Sequence, residues 1–213
     1  MTAIVTSLPS RSPLPFDPRL PAAERCAMLA DAFPAPLRDA LAHGRVARRA
    51  LFRDDGFDGV SEDWIPPPTL TDQQARMARR ALDELSATVL APVSPDHLLA
   101  RILALLSHYP AKGMSPEVEQ LVALDWAEDL GEFPAWAVDA AARTWRRTRK
   151  WRPSIAEMRA LCADACAQER ALALRLSAVA AASSDREGPG LERNRAGRVR
   201  TLAAGAVRRM GEG

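Results

Sequence analysis

"SPDHLLARILALLSHYP", residues 94–110, answers the first question the chain poses, helix or strand. Leu98, Leu99, Ile102, Leu105 and Leu106 recur at three- and four-residue steps, which line one face of an α-helix and never one face of a strand. Ser94 stands where a side-chain oxygen can accept from the first free backbone N–H groups. Pro95 follows at the first helical position, where its missing donor costs nothing. A capped, strongly apolar helix is expected here.

The same grammar repeats on either side. Upstream, Thr71 and Gln74 have capping-box spacing, and Ala75, Ala78, Leu82, Leu85 and Val89 form one stripe that Pro92 ends. Downstream, Ser115 and Pro116 open "SPEVEQLVALDWAEDL". Val118, Leu121, Val122, Trp126 and Leu130 are expected to face inward from it, with Glu117, Glu119, Asp125, Glu128 and Asp129 outside and Gly131 closing. Pro134 starts another helix, whose buried stripe is Val138, Ala141 and Trp145. After a break at Arg152-Pro153, Ser154 and Glu157 form a second capping box. One long helix is expected from there, with Ile155, Met158, Leu161, Cys162 and Ala165 inward. Trp126 and Trp145 are thus expected to be buried together.

Outside this block the signal weakens. Ten of the seventeen prolines lie in residues 1–68. Proline fixes φ and removes a donor, so this third reads as a largely irregular arm. Short helices are expected over 22–32 and 37–51, and "DDGFDGVSEDWIPPP" (54–68) reads as an acidic linker. Residues 183–213, rich in Gly, Ser and Arg, read as a flexible basic tail. The expected organisation is an arm over 1–68, a helical domain over 69–182 and the tail. No hairpin signal is read, and the fold class expected is all-α.

Composition narrows the function. The net charge of +2 over 213 residues is too small for a protein that coats nucleic acid through bulk charge, so any such contact must be local. Three cysteines without paired spacing give no disulfide framework. Cys162 and Cys166 share a helix face, but no further His or Cys nearby completes four zinc ligands, so buried thiols are expected. The first residues lack a basic then apolar leader, and no apolar run reaches the roughly 18 residues of a membrane span. A cytoplasmic protein without membrane contact is expected. No phosphate-binding loop, His-Glu-x-x-His or Gly-x-Ser-x-Gly occurs, and His43, His97 and His108 stand apart. These absences point away from an enzyme, with no catalytic residue, metal or cofactor expected.

One stretch stands out electrically. "RTWRRTRKWR", residues 143–152, holds six cations and no acid, whereas 113–142 holds seven acids and no Lys or Arg. Arg143, Arg146, Arg147, Arg149, Lys150, Trp151 and Arg152 are the candidate binding residues. Three readings fit them: phosphate contact with Trp151 stacked on a base, a solvated helix end that complements the dipole, or docking to a charged protein.

The stretch 98–163 resembles the helical domain of phage replicative helicase loader/inhibitor proteins, small prophage replication proteins. The likeness is carried by the leucine-rich helix ending in "HYP", by "DWAEDL" (125–130), by "EFPAWAVDAAARTW" (132–145), and by the basic turn into "RPSIAEM" (152–158). Here the pattern follows a Pro-rich arm, and the turn is richer in arginine than the family pattern requires. The resemblance implies a non-ATPase adaptor in DNA replication of a phage or mobile element, with a replicative hexameric helicase or an initiator as partner. Two other readings stay open: a DNA-binding regulator using the Arg-rich turn, and a phage structural or assembly adaptor.

Overall fold

The computed structural model describes residues 14–54, 56–109, 113 and 115–182. The start of the arm and the tail from 183 lie outside the described residues. Two compact units are present, one built from residues 14–33 and 81–174, the other from 34–80 and 175–182.

In the first unit, α4 (Pro95–Leu106), α5 (Pro116–Leu130), α6 (Ala135–Thr148) and α7 (Ile155–Ala165) pack in a ring. α4 meets α5 and α6, while α7 meets α5 and α6. Leu98, Ile102, Leu105, Trp126, Leu130, Phe133, Val138, Trp145, Met158 and Cys162 share the resulting core. Trp126 and Trp145 are buried together, as their stripes require. The caps form as the sequence implies. Ser94 accepts from the backbone N–H of His97, and Ser154 and Glu157 close a full capping box. Ser115 is the N-cap of α5 but makes no cap bond through its side chain. Its hydroxyl serves the Glu117 carboxylate instead and lowers that group's pKa.

α1 (Ala22–Asp31) belongs to the same unit, and a buried ion pair holds it. Arg25 Nε donates to Glu169 Oε1 at 2.7 Å, and its other nitrogens donate to the carbonyls of Leu20 and Ala165. Its guanidinium also lies 4.9 Å from the centroid of Trp136, against which Phe16 packs at 5.1 Å. Every polar atom of the pair is used, as burial of charge demands.

The second unit contains α2 (Ala35–Ala42), strands β1 (Arg45–Arg53) and β2 (Gly56–Ile65), the first half of α3 (Asp72–Ala87) and the end of α8 (Ala167–Ala181). Thr71 and Gln74 cap α3 reciprocally, and Gln74 Nε2 also donates to the Pro36 carbonyl at 3.0 Å.

Three expectations are corrected here. The protein is mostly helical but not all-α, because β1 and β2 form an antiparallel hairpin. The helix expected over 37–51 stops at Ala42, and the stretch read as an acidic linker is β2. Ala, Arg and Leu of "RVARRALFR" favour helix locally, but cross-strand pairing overrides that preference. Two details drive the switch: the indole of Trp64 lies over Gly44, where a Cβ would fall within 1.9 Å of the ring, and Gly56 closes the turn at φ 127°. Second, the long helix expected after Ser154 breaks at Cys166, whose φ of −108° and ψ of 13° leave the helical region. Third, α5 is turned from its expected orientation. Val122, Trp126 and Leu130 face the core, but Val118 and Leu121 are exposed.

Candidate partner-binding surface

The basic stretch spans the last turns of α6 and the link to α7. Arg143, Arg146, Arg147 and Lys150 are exposed, and among the described residues no carboxylate pairs with them. Arg149 is different. Its guanidinium lies 5.7 Å from the ring of Trp145 and equally far from that of Trp151, so it bridges two indoles. Trp145 is buried and donates from Nε1 to the Trp151 carbonyl at 2.9 Å. This bond, with the extended conformation favoured before Pro153, fixes the path of the turn.

Trp151 is 54% exposed, yet its edge is engaged. The Glu157 carboxylate has a lowered pKa, chiefly because it accepts from the Ser154 backbone and hydroxyl. The charge of Arg149 and a bond from Trp151 lower it further. Arg149 and Trp151 thus hold the shape of the turn, and Arg143, Arg146, Arg147 and Lys150 are left exposed.

Arg152, the last candidate, is half-buried and points into a different feature. It lines a groove of about 340 Å³ between α4 and α5, together with Ile102, Leu103, Leu106, Val122 and Trp126. Leu103 on its α4 wall is 60% exposed, while Leu121 and Leu124 are open to water on the side of α5 turned away from Val122 and Trp126, and Val118 is exposed in its first turn. An open apolar groove with a few polar groups on its rim is the kind of concavity in which proteins bind ligands and partner segments. Glu119 stands on the groove wall, and Glu117, Asp125 and Glu128 are exposed along the same helix. Asp129 and Glu132 are already tied to Arg159, and Glu132 to Arg170 as well.

The sequence did not indicate this groove as a site, although a signal was present. α5 is apolar on nearly every side, with Val118, Leu121, Val122, Leu124 and Trp126 spread around it. An evenly apolar helix cannot bury all of its surface against one neighbour.

The remaining chemistry-bearing residues sit in structural roles. His97 Nε2 lies 3.3 Å from Asp139 Oδ1, which also accepts from Arg101 Nε at 2.6 Å, so the trio ties α4 to α6. Burial pushes the Cys162 thiol up to about 12 and raises Cys166 too, whose S–H donates to the Cys162 carbonyl. Neither is a thiolate near neutral pH, and only the thiolate is a nucleophile or metal ligand. Among the described residues no three His, Cys, Asp or Glu side chains gather as a metal site, and no helix is long and apolar enough to cross a membrane.

The surface thus joins an apolar groove bearing Glu119 to the basic turn, with Arg152 common to both. No family model, curated protein or solved structure matches the chain.

Proposed function

We propose that this protein is a non-catalytic adaptor that binds a partner protein across the α4–α5 groove and the basic turn. The observation that carries the reading is the open apolar groove, with Leu103 60% exposed on its wall. A groove of this kind suits an amphipathic helix, with apolar anchors at i, i+3 or i+4 and i+7. The charge pattern orients it: basic residues of the partner meet Glu119 and its neighbours, and acidic ones meet Arg146, Arg147 and Lys150. The resemblance of residues 98–163 to phage helicase loaders supplies the partner class, a replicative hexameric helicase or an initiator protein. The setting is DNA replication of a phage or mobile element, in the cytoplasm, with no cofactor required.

The test is capture of the host helicase or initiator by the purified chain, followed by titration of Leu103→Arg. Interface anchors cost about 2 kcal/mol or more when lost, so affinity should fall at least about 30-fold with an unchanged circular dichroism spectrum. Equal affinity for wild type and variant would refute the groove as the docking site.

A second reading has its own support. Four exposed cations without a carboxylate partner among the described residues also fit a phosphate backbone. In that case the protein is a DNA-binding regulator, and the groove variant would bind DNA like the wild type.

A further inference from the structure

The hairpin leaves an apolar face open to water. Side chains alternate along a strand, and an antiparallel sheet with one open face ordinarily sends its polar residues there. Here Val46, Ala50 and Phe52 of β1 share a face with Phe57, Val60 and Trp64 of β2. Phe52 and Phe57 touch edge to face at 5.9 Å and are 72% and 65% exposed, while Val46, Ala50 and Val60 are also exposed. The opposite face carries Arg45, Arg49, Asp63 and an exposed Leu51, with Ala47, Ser61 and Ile65 half-buried.

We propose that this face binds a second copy of the same chain, hairpin against hairpin, about a twofold axis parallel to the strands. The argument is the pattern of rows. The register pairs Val46 with Trp64, Arg48 with Glu62, Ala50 with Val60 and Phe52 with Phe57. A twofold along the hairpin sets β1 of one copy over β2 of the other, so each row covers itself with its two members exchanged. The apolar rows then meet apolar rows. The single charged row, an exposed ion pair with Arg48 Nε 2.8 Å from Glu62 Oε1, places each arginine over the partner's glutamate.

The same row argues against other occupants. With its one arginine balanced by a glutamate, the face has no excess of cations, whereas nucleic acid and anionic membranes are held by unbalanced cations. A two-stranded sheet alone is also marginally stable, so covering this face stabilises the hairpin itself. The face is about 30 Å long and about 10 Å wide, on the order of 300 Å² per copy. Standard interfaces bury about 800 Å² per partner, so association should be weak, with a Kd of roughly 10–100 μM.

Sedimentation velocity on the full chain tests this, with Arg48→Glu and Glu62→Arg as separate variants. Wild type should pass from monomer to dimer between about 5 and 500 μM. Each variant alone should stay monomeric over that range, because its charged row would meet a row of the same sign. Their equimolar mixture should recover a dimer, since the two rows are then opposite. Restored association in the mixture also shows that both variants keep a competent hairpin. Wild type that stays monomeric throughout, or a mixture that stays monomeric, would overturn the proposal. Neither result bears on the groove, whose partner binding is read separately.

Discussion

Arg25 and Glu169 meet across 144 residues of sequence and are almost wholly excluded from water. Removing one partner of such a pair leaves an uncompensated buried charge, so Arg25→Ala or Glu169→Ala should cost about 3–5 kcal/mol in urea unfolding. A loss below about 1 kcal/mol would show the pair to be hydrated in solution. Nothing in the local sequence announces this contact, because periodicity reports which face of an element is inward and not what it meets. The tryptophans show the opposite case, since Trp126 and Trp145 lie on apolar stripes and their burial follows. Cys162 gives a pH signature. Its folded pKa is raised to about 12 from an ordinary 9.0, so the folded state keeps its proton where the unfolded chain loses it. That contribution is complete below pH 9 and is lost as pH rises toward 12. Unfolding free energy should therefore decline over pH 9–11 more steeply in wild type than in Cys162→Ala, and parallel slopes would contradict the burial assigned to this thiol.

At the scale of elements, the caps were legible and the hairpin was not. Thr71 with Gln74, Ser94 with Pro95, and Ser154 with Glu157 are local signals read by local chemistry, and all three cap their helices. Ser154→Ala removes the side-chain half of a capping box, leaving Glu157 to accept from the backbone N–H of residue 154, and should lower stability by about 1 kcal/mol, seen as a lower urea midpoint at unchanged slope. An unchanged midpoint would mean that the box is not formed in solution. β1 misleads because Ala, Arg and Leu are good helix formers, and its strand state comes from pairing with β2. The Asp-Asp-Gly turn between the strands was the available clue. α5 misleads for another reason. Its apolar residues surround the helix, so spacing alone could not choose which of them face the core, and the open Val118–Leu121 side emerged only with the packing.

At the scale of the whole molecule, the two proposed readings differ in the surface they use: the groove with its turn, or the turn alone. The candidate cations were legible as a run, and the structure divides them by role. Arg149 and Trp151 hold the turn, Arg152 lines the groove, and Arg143, Arg146, Arg147 and Lys150 stand free among the described residues. That division required three dimensions, because neighbours in the run point to different surroundings. The most direct measurement is the affinity of the chain for purified replicative helicase and for naked DNA, each at 50 and 200 mM salt. An adaptor seated in an apolar groove should bind helicase with a Kd that rises by less than about threefold, because salt screens mainly its encounter rate. DNA held by three or four cations would weaken by roughly one to two orders of magnitude over the same range. Helicase binding that is nearly indifferent to salt and lost in Leu103→Arg is the predicted result; tight, steeply salt-dependent DNA binding with no helicase contact would contradict it.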